Sequence, residues 1–140
     1  MRILIVVGQD KIISGGAIQA IELTRELRER GHAAGLVFPP PSGSYSPEPF
    51  RRIEQEGLLL GTVPMRGTLL RGALRLRRLL RRERIEAVYA VKGNALALAL
   101  LATTGLRLPV VAHRGVDYPI SRFSRLKYHH PRVRAIVAVS

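Results

Sequence analysis

Apolar residues along this chain recur with two different periods, and the alternation between them predicts its elements. After Arg2, Ile3, Leu4, Ile5, Val6 and Val7 form a short unbroken run rich in β-branched residues, the pattern of a strand buried on both faces of a parallel sheet. Gly8 ends it. Ser14, Gly15 and Gly16 then precede a segment in which Ala17, Ala20, Ile21, Leu23 and Leu27 share one stripe while Glu22, Arg25, Glu26, Arg28 and Glu29 face water. That is an amphipathic helix, stopped by Gly31. Ala33 to Phe38 gives a second strand. Pro39 to Pro49 holds five of the nine prolines and predicts an exposed loop. A short helix from Phe50 to Glu56 follows, ended by Gly57, and Leu58, Leu59, Leu60 and Val63 suggest a third strand interrupted by Gly61.

From Thr68 to Arg84 the spacing of Leu69, Ala73, Leu76 and Leu80 predicts a second long helix. Ile85 to Val91 reads as the fourth strand, with Lys92, Gly93 and Asn94 as its exit loop and Asn94 as the cap of the next helix. That helix, Ala95 to Gly105, alternates Ala and Leu as a strand would; its position between two better strands and its helix propensity decide for a buried helix. Leu108 to Ala112 is a fifth strand that delivers His113, Arg114, Gly115, Val116 and Asp117 to a loop. SRFSRLKYHH contains a short helix, and Val133 to Val139 is a sixth strand. Repeated strand–helix units with right-handed crossovers predict an α/β doubly wound parallel sheet in the order 3-2-1-4-5-6.

This order places the polar candidates together. A helix start aims unpaired N–H groups and the positive end of its dipole past the strand that precedes it. Gly15 and Gly16 would let a phosphate or a sugar hydroxyl approach that main chain; a Gly pair that only eases a tight turn has the same sequence. Lys92 and Asn94 leave strand four, and His113 and Arg114 leave strand five, at the same carboxyl edge. The spacing is neither G-x-G-x-x-G nor a Walker lysine motif, which argues against a dinucleotide fold and a P-loop.

Composition narrows the chemistry. The chain has 140 residues, 46% of them apolar and none of them cysteine, so it predicts one domain with a real core and no disulfide, zinc ribbon or thiol chemistry. The adjacent His129 and His130 lack the companions of a metal site. The apolar start is no longer than a strand, which predicts no secretion signal, and no apolar run has the length of a membrane span. Lys plus Arg number 23 against 10 acidic residues, a net charge of +13, so an anionic partner is expected. Arg71, Arg75, Arg77, Arg78, Arg81, Arg82 and Arg84 crowd one helix. They would either lie solvated on an ordinary sheet-covering helix or hold acidic lipid headgroups while Leu70, Leu74 and Leu79 widen its apolar side.

Three stretches, SGGAIQAIELTRELRERGH, PVVAHRGVDYPISRFSRLKY and the terminal RAIVAVS, together resemble the N-terminal half of a retaining glycosyltransferase of the GT-B architecture, glycosyltransferase family 4 in particular. HRGVDYPISRFSRLKY is most similar to members of bacterial cell-envelope glycan or lipopolysaccharide type. The resemblance implies a Rossmann-like acceptor-side domain whose donor-binding partner domain, with its paired glutamates, is absent from these residues. The domain alone would be inactive. It implies that Gly15 and Gly16 lie near the donor's diphosphate or sugar, and that His113, the catalytic candidate, hydrogen-bonds the donor sugar. Arg114 would add positive charge near a phosphate or acidic acceptor, and Asp117, Lys92 and Asn94 would be sugar or acceptor contacts, Lys92 departing from the histidine or serine common there. The donor would be a nucleotide-sugar, the acceptor a glycan or lipid-linked glycan, and no metal or other cofactor is expected. The implied location is the cytoplasm, at the inner membrane face if the arginine helix binds lipid. The rival reading is a free-standing basic module that binds nucleic acid or another polyanion.

Overall fold

In a computed structural model of the chain, which describes residues 1–9, 15–41, 48–65, 67, 69–114 and 121–138, the elements alternate throughout. They are β1 (Arg2–Val7), α1 (Gly15–Glu29), β2 (Ala33–Phe38), α2 (Glu48–Gln55), β3 (Leu59–Thr62), α3 (Leu69–Arg82), β4 (Ala87–Val91), α4 (Gly93–Ala102), β5 (Val110–Arg114), α5 (Arg122–Tyr128) and β6 (Val133–Ala138). The strands form one sheet in the expected order, β3-β2-β1-β4-β5-β6, and every neighbouring pair is parallel.

Strand alternation sorts the core into two layers. Ile5, Val7, Leu36, Phe38 and Val91 face α1 and α2, where they meet Ala17, Ala20, Ile21, Phe50 and Ile53. Leu4, Val6, Val88, Ala90 and Ala112 face the opposite layer, built on Ala73, Leu76, Leu80, Leu96 and Ala99 of α3 and α4. Because both sides of β1 are covered, Leu4 through Val7 are fully buried, as the unbroken apolar run requires. The chain changes layer between β3 and β4, so α1 and α4 leave adjacent strands on opposite sides of the sheet. That is the topological switch point of a doubly wound fold.

Helix ends obey one motif. After α1, Gly31 (φ +90°) donates to Arg28 O and His32 to Leu27 O, and after α2, Gly57 (φ +70°) and Leu58 repeat the pair on Glu54 O and Ile53 O. These are Schellman caps. α3 closes the same way, but with Arg84 at φ +53° in the glycine position.

The structure corrects several local expectations. Pro49 is not in the loop but in the first turn of α2, where a missing N–H costs nothing. Leu69, expected in the core, is exposed at the start of α3, while Leu79, expected to widen an outer apolar face, is buried against the sheet. Asn94 is not a cap residue: α4 already begins at Gly93, and Lys92 holds the N-cap position. His113 and Arg114 are the last residues of β5, paired with Val137 and Ala138, rather than part of a loop.

Two substitutions should move stability in opposite directions. A Cβ on Gly72 would run into the carbonyl oxygen of Pro64, so Gly72→Ala should cost about 1–3 kcal/mol as overpacking. Arg84→Gly should add up to ~1 kcal/mol by relieving the left-handed backbone. Urea denaturation of both variants checks this.

Candidate functional site

The carboxyl edge of the sheet at the switch point is stitched together by backbone and by one side chain. Gly8 N–H donates to Val91 O (3.1 Å) and Lys92 N–H to His113 O (3.4 Å), which joins the ends of β1, β4 and β5. Asn94, in the first turn of α4, donates from Nδ2 to Gly8 O (2.7 Å) and accepts from Ala95 N–H at Oδ1 (3.0 Å). Its amide occupies the space a Cβ on residue 8 would need, so glycine there is a packing requirement. Between these anchors Lys92 adopts φ 83°, ψ 159°, a region populated almost only by glycine and costing ~1–3 kcal/mol. Its side chain is exposed. Lys127 of α5 sends Nζ to Gly93 O (3.2 Å), placing a second positive charge beside the positive end of the α4 dipole.

His113 lies in register with Val91 and hence on the α1 side of the sheet, the side of Tyr89. It is only 6% exposed. Nδ1 is 2.7 Å from the Tyr89 hydroxyl, and Nε2 is buried without a hydrogen-bond partner. Burial pushes the imidazole below its usual range and the Tyr89 phenol above its own, so both are neutral at pH 7. Gln9, just past β1, carries a second orphaned buried atom, Oε1.

The expected residues are thus only partly gathered. α1 starts at Gly15, which is exposed with open space where a Cβ would go, whereas a Cβ on Gly16 would touch Val91 Cγ1 at 3.4 Å. The helix start therefore stands over the end of β4, near His113's layer. Arg114 follows His113 along a strand and so faces the opposite layer. Asp117 lies outside the described residues. Tyr89 and Gln9 were not expected; a lone phenol in an aliphatic strand is the one signal for Tyr89, since a buried tyrosine needs a partner for its hydroxyl.

The arginine helix divides as well. Arg71, Arg75, Arg78, Arg81 and Arg82 are exposed, beside Leu70 (63% exposed) and Leu74 (50%). Arg75, Arg78 and Arg82 line a groove of about 440 Å³ against β3. Arg77 does not belong to this surface: its guanidinium turns inward to the carbonyls of Ala102 and Thr104 at the end of α4, the place where a cation meets the negative end of the dipole. No helix among the described residues is long and apolar enough to cross a membrane.

A six-stranded doubly wound sheet whose polar groups collect at the switch point is the architecture of the N-terminal domain of GT-B glycosyltransferases. The sequence matches the Glycosyltransferase Family 4 profile over residues 13–140, and the chain belongs to that family. MurG of Acinetobacter baumannii has the same fold (TM-score 0.73, 13% identity) over 99% of this chain and 41% of that one. The spinosyn rhamnosyltransferase SpnG, solved with thymidine diphosphate, gives 0.68 at 21% identity over 99% and 45%. HepE of Anabaena, solved with UDP and glucose, gives 0.60 at 20% over 81% and 29%. The chain therefore spans less than half the length of each of these proteins. No curated protein matches it in sequence.

The Gly8–Asn94 contact predicts non-additivity. Gly8→Ala alone should cost about 1–3 kcal/mol by displacing a hydrogen-bonded amide, but much less in an Asn94→Ala background, a coupling that a double-mutant cycle reads directly. His113 also gives a pH signature. Its folded pKa lies below the unfolded value near 6.5, so only the unfolded chain takes up the proton first. Its stability contribution is complete above that value and is lost as pH falls below it. His113→Gln should flatten the thermal-stability profile between about pH 7 and pH 5.

Proposed function

We propose that this chain is the acceptor-side half of a retaining glycosyltransferase that moves a sugar from a nucleotide-sugar donor to a glycan or lipid-linked acceptor in cell-envelope polysaccharide or lipopolysaccharide synthesis. The observation that carries the reading is the buried, unpaired Nε2 of His113 at the switch-point edge of a family 4 chain. His113 would contact the donor sugar. Gly15 and Gly16 at the start of α1, with Lys92 and Lys127 near the start of α4, would stabilise the donor's diphosphate as it leaves, by dipole and charge and without a required metal. Asn94 braces this edge, which makes it a positioning residue rather than a sugar contact. Arg114 and Asp117 stay as candidates for an acidic acceptor and a sugar hydroxyl. The donor-binding second domain would belong to the same polypeptide, and these residues alone would not turn over.

The direct test is titration of UDP, TDP and UDP-glucose, followed by calorimetry, into the chain and into any longer polypeptide that includes it. Saturable binding is expected, and Gly16→Val, which crowds the approach between α1 and Val91, should reduce it at least tenfold while leaving heparin binding unchanged. Heparin binding that collapses with salt, with no nucleotide binding at all, would favour the polyanion module instead.

A second site fits the same reading. The exposed Leu70 and Leu74 among Arg71, Arg75, Arg78, Arg81 and Arg82 match the inner face of an anionic membrane, at roughly 1 kcal/mol per basic residue. Reversing these five arginines to Glu should abolish cosedimentation with phosphatidylglycerol vesicles. Reversing Arg77 instead should destabilise the fold; equal vesicle binding by the fivefold variant would remove the membrane role.

A further inference from the structure

We infer that Tyr89 is a positioning residue that fixes His113 in the tautomer with its proton on Nε2, so that the ring meets a bound ligand as a hydrogen-bond donor. Only what lies beyond Nε2 rests on the functional reading above; the tautomer rests on the geometry of the pair.

A neutral imidazole donates from one nitrogen and accepts at the other. The Tyr89 oxygen and His113 Nδ1 are 2.7 Å apart, with ring centroids at 5.8 Å and planes inclined by 54°, and this contact has two possible polarities. In a neutral pair the phenol carries the more acidic proton and the imidazole nitrogen is the more basic atom. The stronger of the two polarities therefore has the phenol donating to Nδ1, which leaves the ring proton on the buried, unpaired Nε2.

The position of Tyr89 follows from sheet register. Val91 on β4 pairs with His113 on β5, and a residue two places earlier on β4 points to the same side. A phenol is long enough to reach forward along the strand to the ring beyond it; the phenylalanine analogue would fill the space without the hydroxyl. With both groups kept neutral by burial, the pair delivers a donor of fixed direction rather than a charge. The ligand atom at Nε2 must then be an acceptor, such as a hydroxyl or phosphate oxygen.

Nitrogen-15 correlation spectra of the His113 ring in the chain should show the Nε2–H tautomer, with Nδ1 as the unprotonated nitrogen. Tyr89→Phe removes the hydroxyl and should let the Nδ1–H tautomer become populated, read in the same spectra. Donor affinity should weaken by about five- to tenfold in the same variant. An Nδ1–H tautomer in the unmodified chain, or a tautomer balance unchanged in Tyr89→Phe, overturns the proposal; if the variant does not fold, the tautomer of the unmodified chain decides alone. Should the tautomer be as inferred while saturating UDP-glucose leaves the Nε2 resonance unmoved, Tyr89 keeps its role and the assignment of His113 to the donor site fails.

Discussion

A strand covered on both faces has nowhere to place a polar side chain except at its ends, and the rest of this molecule follows from that constraint. β1 is aliphatic beyond Arg2, and the one polar tip in the middle of its neighbour β4, the Tyr89 hydroxyl, is carried forward to His113 at the end of β5. Among the described residues, the buried polar side chains are Thr24, Thr103 and His113. The two threonines satisfy themselves on their own helices, through Ala20 O at 2.7 Å and Ala99 O at 2.8 Å. His113 alone retains an unpaired nitrogen, and it stands at the carboxyl end of its strand. A group that is costly to bury and left unsatisfied is retained where something else completes it, which is why the site reading rests on this residue more than on the glycines.

The large positive charge is less a surface property than the totals suggest. Arg28 donates to Ala34 O and Gly57 O, Arg77 to carbonyls at the end of α4, and Arg132 to Leu100 O and to the Thr103 hydroxyl. These guanidiniums close chain ends that would otherwise leave carbonyls bare. Arg25 is held between Glu22 and Glu56. What is left as a concentrated basic surface is the outer side of α3, and there the exposed leucines make it amphipathic in a way that solvation alone does not call for.

Most of the fold was legible because helix and strand periods are local and strong: the sheet and its five crossovers follow from the order of elements and the handedness rule. The errors share a cause. Leu79 and Arg77 were assigned outward from periodicity, but which flank of α3 meets α4 depends on crossing geometry that no spacing encodes. Asn94 looked like a cap because Asn is a good one; its amide is used instead to hold Gly8, a residue far away in sequence. The Tyr89–His113 contact was invisible in the sequence because it arises only when β4 and β5 are set in register. The places of Gly15, Gly16 and His113 at the sheet's carboxyl edge were readable from residue type and order, whereas the facing of Arg114 was not, because neighbours in a strand point to opposite faces.

The two surfaces proposed for recognition would obey different electrostatics. On α3 the charges are exposed and separated from any partner by water, so their attraction is screened within a Debye length of ~8 Å at physiological salt. At the switch point the imidazole of His113 is buried and neutral, and a hydrogen bond made there would keep its strength with little for salt to screen. Helix starts add a fixed positive field there from neutral peptide groups, and Lys92 and Lys127 add their ammonium charges. Binding through α3 would therefore be loose, orienting and sensitive to ionic strength, while binding at the sheet edge would be set by geometry. Because the sheet lies between the α3 layer and the His113 layer, the two proposed roles would not compete for the same face.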